Sequence, residues 1–271
     1  MTDVRDILFR EIADKKFRAV LTAERSGVFC GRSAAITCAQ ALGIELEICK
    51  NDGDELSHGQ RFANLLAKPK QVAIAEEQLI GTMAKACGIA TAARTAVHLA
   101  DGKVKIVSGA WKKMPPETKQ MVRGAIVAGG AAFRICESPM MYLDKNFVRM
   151  LGGIPAALAA CKDFPDKVKV IQIKGITADV EEETWQALNG GAGVFMVDTG
   201  RIEDLRRCRT VLETSGRRGE VQLAYAGGVK LTDIPQLTEE RLDILCIGKQ
   251  IVDAQLLDMK LDVIQEESLW G

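Results

Sequence analysis

The sequence predicts an α/β protein whose C-terminal half forms a β/α barrel of about six parallel strands. Three observations lead there. From Val104 onward short β-branched runs alternate with amphipathic stretches, the rhythm of strand–helix units joined by right-handed crossovers. Several runs are apolar on both faces, as a buried parallel sheet requires. No GxGxxG follows any of them, which favours a barrel over an open sheet.

The elements follow in order. DVRDILFREIADKK (3–16) has helical spacing, FRAVLTAE (17–24) reads as a strand, and IELEICKNDGDELSHGQ (44–60) as a strand followed by a DG-type turn. Residues 75–100 are Ala-rich and long enough for one extended helix or two with a break, with Gly88 allowing close packing. The barrel strands are VKIVSG (104–109), MMYLD (140–144), VKVIQIKG (168–175), GVFMVD (193–198), VQLAYAGG (221–228) and ILCIGK (244–249). GGIPAALAACKDF, VEEETWQALNGG and RIEDLRRCRTVLETSG lie between them with helical period.

The totals narrow the function. The 271 residues suffice for one barrel-sized domain, or a barrel plus a small one. With 36 basic and 36 acidic residues there is no global field to favour nucleic acid or an anionic membrane. Eight dispersed cysteines without a CxxC pair fit reduced thiols, and His58 and His98 alone make no histidine metal centre. The N-terminus lacks an apolar signal core and no segment approaches 18 apolar residues, so a cytoplasmic protein is expected.

In β/α barrels the functional groups sit where strands end. Those ends carry Asp144-Lys145-Asn146, Lys174-Gly175, Asp198-Thr199-Gly200, Gly227-Gly228 and Gly248-Lys249. Gly227, Gly228 and Gly248 follow the last two strands, where backbone N–H groups can cradle a phosphate, and Lys249 adds charge. The other reading is that they are turn glycines and Lys249 is solvated. Arg134, inside the apolar GGAAFRI, is expected to be a charge in need of a partner. Asp198 suits a hydroxyl pair or a magnesium ion, or an N-cap for the helix near Arg201.

Six segments, in order, resemble the quinolinate phosphoribosyltransferase family (carboxylating nicotinate-nucleotide pyrophosphorylases). CGIATAARTA (87–96) resembles its SGIAT segment, KKMPPETK (112–119) its TRKTxPGxR loop and AGGAAFR (128–134) its GGGxxHR. YLDKNF (142–147) resembles LIKDNH, MVD (196–198) LLDN, and AYAGGV (224–229) ESSGGI. The flavour is that of the divergent branch found with molybdenum-transport genes. The resemblance implies an N-terminal α/β sandwich domain (1–78) rejoined by the tail 254–271, then an incomplete barrel (79–253) of about six to seven parallel strands. It implies dimers or larger homo-oligomers, and transfer of ribose 5-phosphate from phosphoribosyl pyrophosphate to the nitrogen of pyridine-2,3-dicarboxylate, with release of pyrophosphate and carbon dioxide.

Carried over by position, Lys112 matches the loop lysine, Arg134 the arginine of the HR pair, Asn146 the asparagine, and Asp198 the metal- and ribose-facing aspartate. Lys145 would then act with Lys112, Arg134 and Asp198 in catalysis. Asn146, Lys174, Gly227, Gly228, Gly248 and Lys249 would hold phosphate and ribose, with magnesium at Asp198. The acceptor side departs from the pattern. Glu77 and Trp111 replace arginines, Phe133 replaces a histidine, and Asp144-Lys145 inverts Lys-Asp, which on a strand reverses the facing of both side chains. Breaking one desolvated carboxylate–arginine pair costs about 3–5 kcal/mol. The sequence therefore favours a phosphoribosyltransferase whose acceptor pocket (Glu77, Trp111, Phe133, Asp144) takes something other than quinolinate. A non-catalytic phosphometabolite- or oxyanion-binding homologue and a true quinolinate enzyme of NAD biosynthesis are the alternatives.

Overall fold

The computed structural model describes residues 3–266; residues 1–2 and the last five of the expected tail 254–271 lie outside them. Two compact units emerge: Met1–Thr95 with Lys113–Gly130 and Ile251–Gly271, and Ala96–Lys112 with Ala131–Gln250. The boundary at 78/79 drawn from the sequence falls inside a helix.

In the first unit α1 (Val4–Leu8) starts under Asp3, whose carboxylate accepts the Arg5 N–H. There follow β1 (Phe17–Ala23), β2 (Gly27–Val28), α2 (Arg32–Leu42), β3 (Glu45–Ile48), β4 (Glu55–Leu56) and β5 (Arg61–Ala67). Gly31 precedes α2 and has no side chain to cap it, so Asp52 accepts the Gly31 and Arg32 N–H groups instead. The long helix α3 (Pro69–Ala100) is unbroken over 32 residues. A Cβ on Gly88 would overlap the Gln255 carbonyl oxygen, so the close packing expected there is present. α4 (Lys119–Ala128) completes the unit's helices up to residue 130.

The second unit contains β6 (Lys105–Val107), β7 (Met140–Leu143), α5 (Lys145–Leu151), α6 (Ile154–Ala159), β8 (Val168–Ile173), α7 (Val180–Asn189), β9 (Val194–Val197), α8 (Ile202–Thr214), β10 (Gln222–Tyr225), α9 (Ile234–Thr238) and β11 (Ile244–Cys246). All six expected strands form, and every pairing is parallel, in the order β6-β11-β10-β9-β8-β7. The chain thus passes strand by strand from β7 to β11 and returns to pair β11 with β6. An isolated parallel bridge joins Val107 of β6 to Ala132. Among the described residues nothing pairs that bridge to β7, which leaves the barrel incomplete. Val107, Val170, Val194, Met196, Ala224 and Ile244 fill its interior. Side chains alternate along a strand, so the same face continues to Gln172 and Lys174 after Val170, and to Asp198 after Met196.

α10 (Lys249–Val252) leads back to the first unit, where β12 (Met259–Glu266) joins the four-stranded antiparallel sheet β12-β1-β5-β3. No described helix is long and apolar enough to cross a membrane.

One local reading is corrected. The strand expected through Asp144 stops at Leu143, and Asp144 is the N-cap of α5, accepting the Asn146 N–H at 2.8 Å and the Phe147 N–H at 3.2 Å. Lys145 and Asn146 are helical, so the two-residue alternation invoked for the inverted Asp144-Lys145 pair does not apply to them.

Candidate active site

The ends of β8 and β9 carry a connected polar cluster. Gln172 Nε2 donates to Asp198 Oδ2 at 2.6 Å, and Gln172 Oε1 accepts the Lys145 backbone N–H at 2.7 Å. That N–H can only donate, which assigns the amide with its nitrogen towards Asp198. Lys174 Nζ lies 3.4 Å from the same Asp198 oxygen, and both side chains are less than a third exposed (26% and 30%). Asp198 does not cap α8: Arg201 holds that position, without a side-chain cap. Of the roles read from the sequence, the cap is removed.

Lys174 is set by a residue that the sequence reading missed. Glu183 on α7 is 2% exposed. Its carboxylate accepts the backbone N–H groups of Lys174, Gly175, Ile176 and Thr177 at 2.8–2.9 Å, and the Thr177 hydroxyl at 3.0 Å. Burial pushes the Glu183 carboxyl up, but the four backbone donors outweigh it and hold the group below the usual carboxylate range. Gln172 was also missed. Its signal was present, a polar residue on the inward face of β8 in phase with Val170. Glu183 gave no such signal, being one of three consecutive glutamates in VEEETW.

A second cluster surrounds the 3-10 turn Ala110–Lys113. Lys112 Nζ sits 5.0 Å from the Tyr142 ring centroid. Trp111 Nε1 donates to the Phe133 carbonyl at 2.8 Å, and the two rings meet edge-to-face at 6.0 Å and 75°. Burial first, then Cys246, Asp198 and Asp144, raise the Tyr142 hydroxyl above the usual phenol range. Burial first and Asp198 second push the Cys246 thiol up to about 12, against the Lys112 ammonium. Lys112, Tyr142, Cys246 and Asp198 therefore share one electrostatic neighbourhood.

The remaining expected residues divide. Trp111 and Phe133 do come together. Asp144 is engaged as a helix cap. Glu77 belongs to the first unit, 74% exposed and 3.5 Å from Arg5. Arg134 is exposed, so the expectation of a buried charge needing a partner is overturned; Ile135, the next residue, takes the buried place in the core. Lys145 and Asn146 are exposed in the first turn of α5, and Lys249 is exposed at the start of α10 after the half-buried Gly248.

The glycines have an account independent of any ligand. Gly227 and Gly228 have φ of +114° and +77°. A Cβ on Gly227 would overlap the Gly200 backbone, and one on Gly200 would lie 2.6 Å from the Gly227 oxygen. The loops after β9 and β10 thus touch main chain to main chain, which requires glycine at both places. Gly228 faces open space, and Gly248 would meet only Ala110 at 3.5 Å. Gly227 and Gly228 line a cleft of about 390 Å³, together with Arg201, Tyr225 and two carboxylates, Glu203 and Asp233. Those carboxylates oppose an anion there, and neither Lys174 nor Asp198 lines it.

Magnesium at Asp198 can be tested against the same geometry. The ion needs a near-octahedral oxygen shell at about 2.0–2.1 Å. Asp198 Oδ2 already receives an amide N–H and faces an ammonium. Among the described residues no three or more His, Cys, Asp and Glu side chains are grouped to hold a metal. The residues present do not fit a magnesium ion held by the protein at Asp198.

Comparisons with known proteins agree over nearly the whole chain. Residues 6–87 match the model of the quinolinate phosphoribosyl transferase N-terminal domain, and residues 89–262 that of the C-terminal domain. The chain is 24% identical over 264 residues to a probable nicotinate-nucleotide pyrophosphorylase (carboxylating) of Methanothermobacter thermautotrophicus, covering 95% of this chain and 93% of the relative. It is 25% identical over 252 residues to the human nicotinate-nucleotide pyrophosphorylase (carboxylating), covering 92% and 83%. Among solved structures, the nicotinate-nucleotide pyrophosphorylase from Francisella tularensis superposes with a TM-score of 0.82 at 21% identity, over 96% of this chain and 90% of that one. Human nicotinic acid phosphoribosyltransferase gives 0.72 at 11% identity, over 98% and 74%. At such identities the structural likeness establishes the fold.

Proposed function

The chain belongs to the quinolinate phosphoribosyl transferase family, and from that premise we propose that it transfers a phosphoribosyl group from phosphoribosyl pyrophosphate to a ring nitrogen, with quinolinate as the first acceptor to test. In this step the anomeric carbon–oxygen bond to pyrophosphate breaks and a carbon–nitrogen bond to the acceptor forms. Pyrophosphate leaves with the bonding pair; a pyridine-2,3-dicarboxylate then loses its 2-carboxylate as carbon dioxide, and the electron pair left on ring carbon 2 takes up a proton. Charge builds on the leaving pyrophosphate and on an oxocarbenium-like ribose, which the protein must hold in place.

The observation that carries the reading is Asp198. Its carboxylate is oriented by Gln172 and Lys174 at the ends of neighbouring parallel strands, where a ribose hydroxyl pair can donate to it. Lys112, in the same neighbourhood, supplies charge for the donor's phosphates; Lys145, Arg134, Asn146 and Lys249 are further candidates. Names borne by the relatives support quinolinate at least as well as a changed acceptor. The test is pyrophosphate release from phosphoribosyl pyrophosphate and quinolinate, with the product identified by mass. Formation of nicotinate mononucleotide supports the reading, and no release with quinolinate counts against that acceptor.

A changed acceptor is a second reading, favoured by the edge-to-face Trp111–Phe133 pair standing where family motifs have an arginine and a histidine. Flat apolar surface suits a neutral or larger ring. Pyrophosphate release with such a heterocycle, and none with quinolinate, decides for it. From the same departures we also infer a likeness to the divergent branch of molybdenum-transport-associated homologues. A cytoplasmic homo-oligomer is the assembly this reading carries with it.

A further inference from the structure

We propose that the Lys174 ammonium neutralises charge beside Asp198 in the way a divalent cation would, so that phosphoribosyl pyrophosphate binds this site without metal. The proposal rests on the phosphoribosyl reading above and concerns how its anionic donor is held.

Lys174 follows Val170 and Gln172 on the inward face of β8, and its Nζ lies 3.4 Å from Asp198 Oδ2. Its main chain is anchored, because the N–H groups of residues 174–177 all end on the buried Glu183 carboxylate. The ammonium therefore works from a fixed root. It has three donors, and the Asp198 contact uses one, leaving others for phosphate or hydroxyl oxygens.

Gln172 closes the other side. Its Oε1 is taken by the Lys145 N–H and its Nε2 by Asp198. Turning the amide to offer its oxygen to a cation would set that oxygen against the Asp198 carboxylate and the NH₂ group against the Lys145 N–H. Acceptor would then face acceptor, and donor face donor. Both neighbours of Asp198 Oδ2 thus present N–H groups, an environment for oxygen-rich anions and hydroxyls rather than for a metal ion.

The test is calorimetric titration of the full chain with phosphoribosyl pyrophosphate, in EDTA and again with magnesium. Wild type is expected to bind in both, with dissociation constants within roughly threefold. Lys174→Met should weaken binding in EDTA by about tenfold or more. Lys174→Glu, which sets a second carboxylate beside Asp198, should bind only with magnesium. Wild-type binding that requires magnesium overturns the proposal, as does a Lys174→Met variant that binds normally in EDTA. Wild-type protein that is folded by circular dichroism and binds under neither condition overturns instead the phosphoribosyl reading on which the proposal rests.

Discussion

The buried carboxylate of Glu183 holds the backbone of Lys174, with the Lys174 N–H 2.9 Å from Glu183 Oε2, while the Lys174 ammonium reaches a different carboxylate, Asp198, at 3.4 Å. Root and tip of one side chain are thus fixed by separate acids, one structural and one facing the site.

Replacing Glu183 by Gln keeps the size and removes the charge that four N–H groups and one hydroxyl share. The new amide nitrogen must face donors. A loss of about 3 kcal/mol is expected, read as a lower urea midpoint. Glu182→Gln, on an exposed neighbour, should leave the midpoint unchanged.

Acid should act through the same group. Glu183 and Glu240 are both held low: Glu183 by its backbone donors against burial, Glu240 first by the Arg206 hydrogen bond. A carboxyl depressed in the folded state contributes stability that is fully present above its unfolded pKa of about 4.3 and is lost as pH falls through the lower folded value. Unfolding free energy should therefore be level above about pH 5 and fall below it. Glu183→Gln should shallow that acid limb in urea titrations from neutral to acid pH.

The paired loops offer a contrast between neighbours. Gly227→Ala drives a methyl into the Gly200 main chain at a left-handed φ, and should cost about 3 kcal/mol or more. Gly228→Ala has the φ penalty alone, about 1–2 kcal/mol, since nothing lies within 4 Å of the added carbon. Thermal unfolding of both variants ranks them.

Gln172→Leu fills a similar volume but frees the Asp198 carboxylate and the Lys145 N–H. The KM for phosphoribosyl pyrophosphate should rise about tenfold. Circular dichroism should stay that of wild type. An unchanged KM would remove Gln172 from the site.

Alkylation should separate the thiols. Cys49 is exposed and should label first at neutral pH. Cys30, Cys87 and Cys208 are buried, and burial pushes their thiols up to about 12, so they should react only on unfolding. Mass spectrometry of iodoacetamide-treated protein, native and in urea, reads the order.

Much of the barrel was legible because periodicity records which way a side chain faces. The runs at 104–109, 140–144, 168–175, 193–198, 221–228 and 244–249 all became strands, and Lys174 and Asp198 fell on one face of adjacent ones. Short stretches such as 145–151 were less legible. Asp144 reads as the end of an apolar strand until its carboxylate is seen bonding the Asn146 and Phe147 N–H groups.

By itself, then, the sequence determined the parallel strands, their inward faces and the family motifs along them, since these depend on spacing within one segment. Tertiary structure alone decided that Glu183 anchors Lys174, that Gln172 orients Asp198, that Gly227 is required by Gly200, and that Arg134 is exposed. Each of these depends on what folding brings alongside a residue from another part of the chain, and the two-residue period of a strand specifies a direction without specifying what stands there.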